Sequence, residues 1–147
     1  MSAIATTFAT GHVGLNVTDL ERSVAFYQRV FGWSVRGRGD GYAFLGDDAR
    51  LVLTLWEQAS GTFGTRTPGL HHLSFEVETV ADVQAAGARV REEGLRLYHD
   101  GTVPHGEGAS SGGVFFEDPD GIRLEVFTGA GVHGEAPTGT APTCGFF

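Results

Sequence analysis

The sequence predicts an α+β fold: two βαβββ modules whose strands form a curved mixed β-sheet, with the helices on its outer face. Three observations carry this. The order strand, helix, three strands occurs twice; the two runs match residue by residue; and every strand candidate alternates an aliphatic set with a mixed one.

The first module spans about 10–57. "GHVGLNV" (11–17) alternates like a strand and meets "TDLE", where Thr18 and Glu21 have capping-box spacing. The helix that follows sets Leu20, Val24 and Phe31, with Ala25 and Phe26 or Tyr27 between them, on an apolar stripe. Glu21, Arg22, Gln28 and Arg29 form its polar face, and Gly32 ends it. Short strands are expected near 33–37, 41–46 and 50–56, divided by glycine and aspartate turns.

The second module spans about 70–128. "HHLSFEV" is its first strand, Thr79 and Asp82 cap its helix, the helix runs to Arg91 or Glu93, and Gly94 stops it. Strands are expected near 95–99, 112–117 and 122–128. His12–Val17 aligns with His72–Val77 at an offset of 60, and Arg50–Leu53 with Arg123–Val126 at an offset of 73. The difference falls in the glycine- and serine-rich segment 100–113, a long loop. Residues 1–128 are thus expected to form a single domain. The tail 129–147, rich in Gly, Pro and Thr, has a composition that favours disorder, while Phe146 and Phe147 suggest an anchor.

Composition narrows the function. A chain of 147 residues with 41% hydrophobic content can bury one core. The net charge of −8, with no basic run, speaks against nucleic acid and anionic membrane as partners. The lone Cys144 allows no internal disulfide, and no apolar segment approaches the ~20 residues of a membrane span. A cytoplasmic protein with a small-molecule substrate or ligand is expected.

The strand faces locate a site. Val13, Leu15 and Val17 oppose His12, Gly14 and Asn16; Leu73, Phe75 and Val77 oppose His72, Ser74 and Glu76. Leu51, Leu53 and Leu55 oppose Val52, Thr54 and Trp56, while Leu124 and Val126 oppose Arg123, Glu125 and Phe127. The aliphatic face suits the helices, and the mixed face suits a cavity. His12, His72 and Glu125 hold equivalent places in the repeat, with Val52 as the fourth. Two imidazoles and a carboxylate with open positions fit one divalent metal, Fe(II) or Mn(II) first, with Ni(II) and Zn(II) open. Phe44, Val52, Thr54, Trp56, Phe63, Arg123 and Phe127 are the expected substrate-binding residues. His71 is read as a strand-end residue on the opposite face from His72, and Glu57 is discounted as a ligand. "DPDG" (118–121) is read as a tight turn, and Cys144, His99 and His133 carry no assigned role.

"GHVGLNVTDLERSVAFYQRVFGW", "GLHHLSFEV" and "FFEDPDGIRLEVF" together resemble the vicinal oxygen chelate superfamily, which includes glyoxalase I, fosfomycin-resistance transferases, bleomycin-resistance proteins and type I extradiol dioxygenases. The resemblance, from about Gly11 to Phe127, implies the glyoxalase/bleomycin resistance/dioxygenase fold around a metal held by His12, His72 and Glu125, in a homodimer. Glyoxalase I looks to need a fourth protein ligand, a carboxylate, where this chain has Val52, and the fosfomycin transferases a threonine where it has Gly14. "PHGEGASSGGVFFEDPDG" is similar to the extradiol pattern, which implies His105 as catalytic acid or base. Phe115 or Phe116 stands where a tyrosine is usual, and the second pair of modules is missing. Two functions are therefore expected in competition. One is a metal-dependent, glyoxalase- or dioxygenase-like enzyme for a small oxygen-bearing substrate, aromatic ones included. The other is a non-catalytic protein that sequesters an antibiotic or flat aromatic metabolite.

Overall fold

Four β-strands and one helix appear twice along the chain, and the computed structural model describes residues 5–137, 139, 141–145 and 147. The first set is β1 (Val13–Asn16), α1 (Leu20–Phe31), β2 (Ser34–Gly39), β3 (Tyr42–Gly46) and β4 (Leu51–Trp56). The second is β5 (Leu73–Glu76), α2 (Val80–Glu92), β6 (Val103–Pro104), β7 (Gly112–Glu117) and β8 (Arg123–Thr128). Each set makes one mixed four-stranded sheet, in the orders β1-β4-β3-β2 and β5-β8-β7-β6. The chain divides into two compact units, residues 1–28 with 32–60, and 29–31 with 61–147.

In the first unit β1 runs parallel to β4, and β4–β3 and β3–β2 are antiparallel. Alternation places Leu15, Ala43, Leu45, Leu53 and Leu55 in the core, all at most 6% exposed. Helix α1 buries Leu20, Val24, Phe26, Tyr27 and Val30. Its start differs from the expected Thr18–Glu21 box: Asp19 is the N-cap and accepts the Arg22 N–H. An aspartate immediately before the helix satisfies that donor as well as a threonine one place earlier would. Gly32 closes the helix with φ of 72°, a left-handed conformation that favours glycine.

Glu57, just past β4, serves the start of α1. Its Oε2 accepts the Leu20 N–H at 2.7 Å, placing a carboxylate against the first turn of α1. Glu57→Ala is expected to destabilise the fold by about 1 kcal/mol, the usual value of such a cap. A thermal melt should show it as a fall of about 2–4 °C.

In the second unit β5 is parallel to β8, and β8–β7 and β7–β6 are antiparallel. The Thr79–Asp82 capping box forms as expected, with each side chain serving the other's backbone N–H. Helix α2 packs on β7 and β8 and buries Val83, Ala86, Gly87 and Val90. Gly87 allows the close approach, because a Cβ there would lie 3.1 Å from the Leu97 side chain and 3.4 Å from that of Val114. The strand expected near 95–99 does not form. A single 3-10 turn (Tyr98–Asp100) replaces it, with His99 and Asp100 at φ of 57° and 60°. Left-handed residues cannot continue a pleated ladder, so the sheet edge is the two-residue β6 instead. The "DPDG" turn is as expected: Asp118 Oδ1 accepts the N–H groups of Asp120 and Ile122, and Gly121 takes φ of 85°.

The segment after β8 is tied to the loop beside β6. Thr143 is fully buried, donates its hydroxyl to the Pro104 carbonyl at 2.7 Å, and donates its N–H to the His105 carbonyl. Val132, 3% exposed, donates to Ser110. A composition that favours disorder is thus overcome by backbone pairing and two buried side chains. Phe146 lies outside the described residues; Phe147 is described and is taken up below.

Candidate functional site

Ladder register decides which positions of the two sheets are equivalent. Val13 pairs with Leu53 in the first sheet, and Leu73, its counterpart at an offset of 60, pairs with Leu124 in the second. Leu53 and Leu124 are 71 positions apart, so the expected offset of 73 for the last strands is two residues too long. Thr54, not Val52, is the counterpart of Glu125, and Trp56 is that of Phe127. A two-residue slip preserves the face of every side chain, which is why the face assignment survives while the partner changes. Sequence similarity between the Arg-Leu dipeptides was the misleading signal; the strand pairing overrides it.

The second unit gathers the chemistry. Glu125 is 2% exposed, on the central strand β8 between β5 and β7. Its Oε2 accepts the Ser74 hydroxyl at 2.9 Å and stands 3.5 Å from His72 Nε2, while its Oε1 lies 2.5 Å from His105 Nε2. An ionised carboxylate only accepts, so His105 Nε2–H is the donor; in the neutral ring Nδ1 is then left to accept from the Ser111 hydroxyl, 3.0 Å away. The result is a chain of three polar groups ending on a buried carboxylate. His105 is placed by the Val103–Pro104 edge strand, where its N–H donates to the Ser111 carbonyl and closes the loop between them. The equivalent places in the first sheet hold Gly14 and Thr54, and there Thr54 Oγ1 accepts the Trp56 indole N–H at 3.0 Å. One module thus carries a charged cluster and the other its neutral counterpart.

His72 precedes β5 instead of lying within it, so strand alternation does not govern His71. The expectation that His71 points away is overturned: its ring centroid is 5.0 Å from that of His72, and the two Nδ1 atoms are 2.8 Å apart. Burial lowers the His72 pKa against the raising effect of Glu125, with the positive charges of His71 and Arg123 adding to the lowering. A neutral imidazole with a free lone pair is what a metal ligand must be. Cys144 has its thiol pKa raised by burial and then by the Glu125 charge, which keeps it protonated and a poor ligand or nucleophile.

The remaining expected residues divide between the units. His12 is exposed at the start of the first sheet. Phe44 and Trp56 meet there with Tyr42, at centroid separations of 5.2, 5.5 and 5.9 Å, and Val52 is half-buried on the same strand as Thr54. In the second unit Phe127 lies 5.3 Å from the His105 ring, and Arg123 is on the face of Glu125. Phe63 is held beside the "DPDG" turn through its N–H to the Asp120 carbonyl. His99 is half-buried edge-on to Phe115, at 5.9 Å, and its Nε2 is buried with no hydrogen-bond partner among the described residues.

Among the described residues no three His, Cys, Asp or Glu side chains are grouped as a metal ion requires. The donor chemistry of the second unit nevertheless fits a divalent cation. Glu125 supplies a buried negative charge with lone pairs on Oε2 facing His72, and His72 supplies a neutral imidazole nitrogen.

Sequence comparison gives the same frame. The pattern of the family described as Glyoxalase/Bleomycin resistance protein/Dioxygenase superfamily matches residues 9–126. The chain is 29% identical over 120 residues to a catechol-2,3-dioxygenase of Bacillus subtilis (strain 168), covering 80% of this chain but only 40% of that protein. It is 32% identical over 119 residues to a trivalent organoarsenical cleaving enzyme of Bacillus sp. (strain MD1), covering 79% of this chain and 70% of the relative. A glyoxylase/bleomycin resistance protein/dioxygenase domain from Frankia sp. EAN1pec superposes with a TM-score of 0.68 at 30% identity, over 84% of this chain and 99% of that one.

Proposed function

The chain belongs to the Glyoxalase/Bleomycin resistance protein/Dioxygenase superfamily, and from that premise we propose that it is a divalent-metal-dependent enzyme acting on a small oxygen-bearing substrate, as a cytoplasmic homodimer. The observation that carries this is the buried Glu125 carboxylate, which faces a neutral His72 on one oxygen and His105 on the other. A carboxylate at 2% exposure with two imidazoles is a costly arrangement for a fold to keep unless a cation or a proton uses it. Its counterpart Thr54 indicates that the fold itself does not need it.

His72 and Glu125 would hold the metal, with His12 as the proposed third ligand, and Fe(II) or Mn(II) is the preferred ion. Such an ion, when bound, supplies Lewis acidity to vicinal oxygens of a substrate. His105 is the proposed acid or base: its Nε2–H bond to Glu125 fixes the ring, and the Ser111 contact at Nδ1 offers a path for a proton. Two relatives are named as enzymes, one cleaving organoarsenicals and one a catechol dioxygenase, which supports an enzyme over a passive binder.

A second reading is kept by the aromatic cluster of Tyr42, Phe44 and Trp56, suited to stacking a flat antibiotic or metabolite without chemistry.

The deciding test is elemental mass spectrometry on protein prepared without chelator or nickel resin, beside His72→Ala. Near one equivalent of iron or manganese, lost in the variant, is the expected result, with oxygen uptake on a catechol as the first activity screen. Absence of metal from the native protein, and none taken up on addition, would leave the sequestering reading.

A further inference from the structure

Phe147 has no role in the site described so far, yet its ring lies among that site's residues. Within the second unit its centroid is 5.5 Å from the rings of His72 and Tyr98, 5.4 Å from Phe115 and 6.4 Å from His71. The Arg123 guanidinium carbon stands 5.5 Å above it. Four rings and a cation thus enclose one phenyl group, tilted to His72 and edge-on to Phe115 and Tyr98, the arrangements aromatic quadrupoles favour.

One polar atom of this enclosure is left unsatisfied. Arg123 Nε is buried without a hydrogen-bond partner among the described residues, although the guanidinium packs on Phe147 itself. A buried guanidinium nitrogen is normally paired, since leaving it bare forgoes a charge-assisted bond. A phenyl ring satisfies the apolar walls of this enclosure and cannot satisfy its guanidinium donor.

We propose that Phe147 is the resident occupant of a subsite built for an aromatic ring bearing a carboxylate, with Arg123 as the carboxylate's partner, and that ligand and Phe147 exclude one another. The idea deepens the enzyme reading, on which it rests, by naming the substrate class for the face of His72 and Glu125. The anchor at Thr143, four residues before Phe147, puts the ring on a short tether, so it competes as a tethered ligand. Affinity for a free aryl acid is then reduced by the fraction of molecules in which the enclosure is filled.

The experiment is calorimetric titration of 3,4-dihydroxybenzoate into native, Phe147→Ala and Arg123→Gln proteins, with catechol as the ring lacking the carboxylate. Phe147→Ala is expected to tighten 3,4-dihydroxybenzoate about 10-fold, as removal of a mostly bound competitor would. Arg123→Gln is expected to erase the preference for the acid over catechol. Phe147→Trp supplies a second readout: its emission should move to longer wavelength as 3,4-dihydroxybenzoate expels the indole. Unchanged or weaker affinity in Phe147→Ala, or no spectral change in Phe147→Trp at saturation, overturns the proposal. Running the titrations on metal-stripped and metal-loaded protein separates the two ideas. A native protein that holds metal but shows no Phe147 effect keeps the enzyme and loses the plug. One that never takes up metal yet shows the effect keeps the plug and loses the enzyme.

Discussion

Glu125→Gln is expected to lower metal affinity by at least about 100-fold, beyond what changes outside the direct ligands bring about. The substitution keeps shape and removes charge. Glutamine offers one carbonyl oxygen where the carboxylate has two acceptors, so either the Ser74 hydroxyl or His105 Nε2–H loses its partner. That loss should cost about 1–3 kcal/mol of stability, as an unsatisfied buried group does. Urea unfolding beside elemental analysis separates the two effects: folded protein without metal is the expected state of the variant at low urea. A variant that retains its metal would remove Glu125 from the ligand set. His105→Gln is the informative companion, because it disturbs the same carboxylate from its other oxygen while leaving Oε2 and His72 in place.

How much of this was legible in the sequence follows from which interactions are local. The α2 capping box, the glycine stops and the "DPDG" turn depend on residues a few positions apart, and they appear where spacing puts them. The division of each strand into two faces is equally local, so the pairing of Glu125 with the open face was readable. Three features were not. The Thr54–Glu125 equivalence depends on strand register, which a repeat of Arg-Leu obscured by two residues. The proximity of His71 to His72 depends on where β5 begins, one residue after the pair. The position of Phe147 depends on a buried threonine four residues before it, which bonds to Pro104 of β6, 39 residues away. His105 lies between these cases. Its loop was recognisable by composition, whereas its contact with Glu125 required the short β6, whose glycine-flanked edge has no periodicity to detect.

Gly113→Val is expected to unfold the second unit or to destabilise it by more than about 3 kcal/mol, the larger end of overpacking losses. Gly113 sits in β7 opposite Phe127, and a Cβ there would lie 2.2 Å from the Val126 carbonyl oxygen and 2.8 Å from Phe127 Cα. These are backbone atoms of β8, so no rotamer change relieves the clash; the ladder itself must move. Gly112, its neighbour, is equally confined, with the Val103 carbonyl oxygen 2.3 Å from a built Cβ. The glycine pair therefore lets β6, β7 and β8 draw together just before His105 leaves β6, two residues along β7 from Phe115, the ladder partner of Glu125. Any displacement of β8 should separate Glu125 from Ser74 and His105, so metal and fold are expected to be lost together, unlike in Glu125→Gln. Gly106→Ala is the control, since a Cβ there meets no described residue within 4 Å and should change stability by less than about 0.5 kcal/mol. Denaturant midpoints and near-ultraviolet circular dichroism of the three proteins measure the contrast. A Gly113→Val protein with native stability would mean that the close approach of β7 to β8 is not what positions the carboxylate.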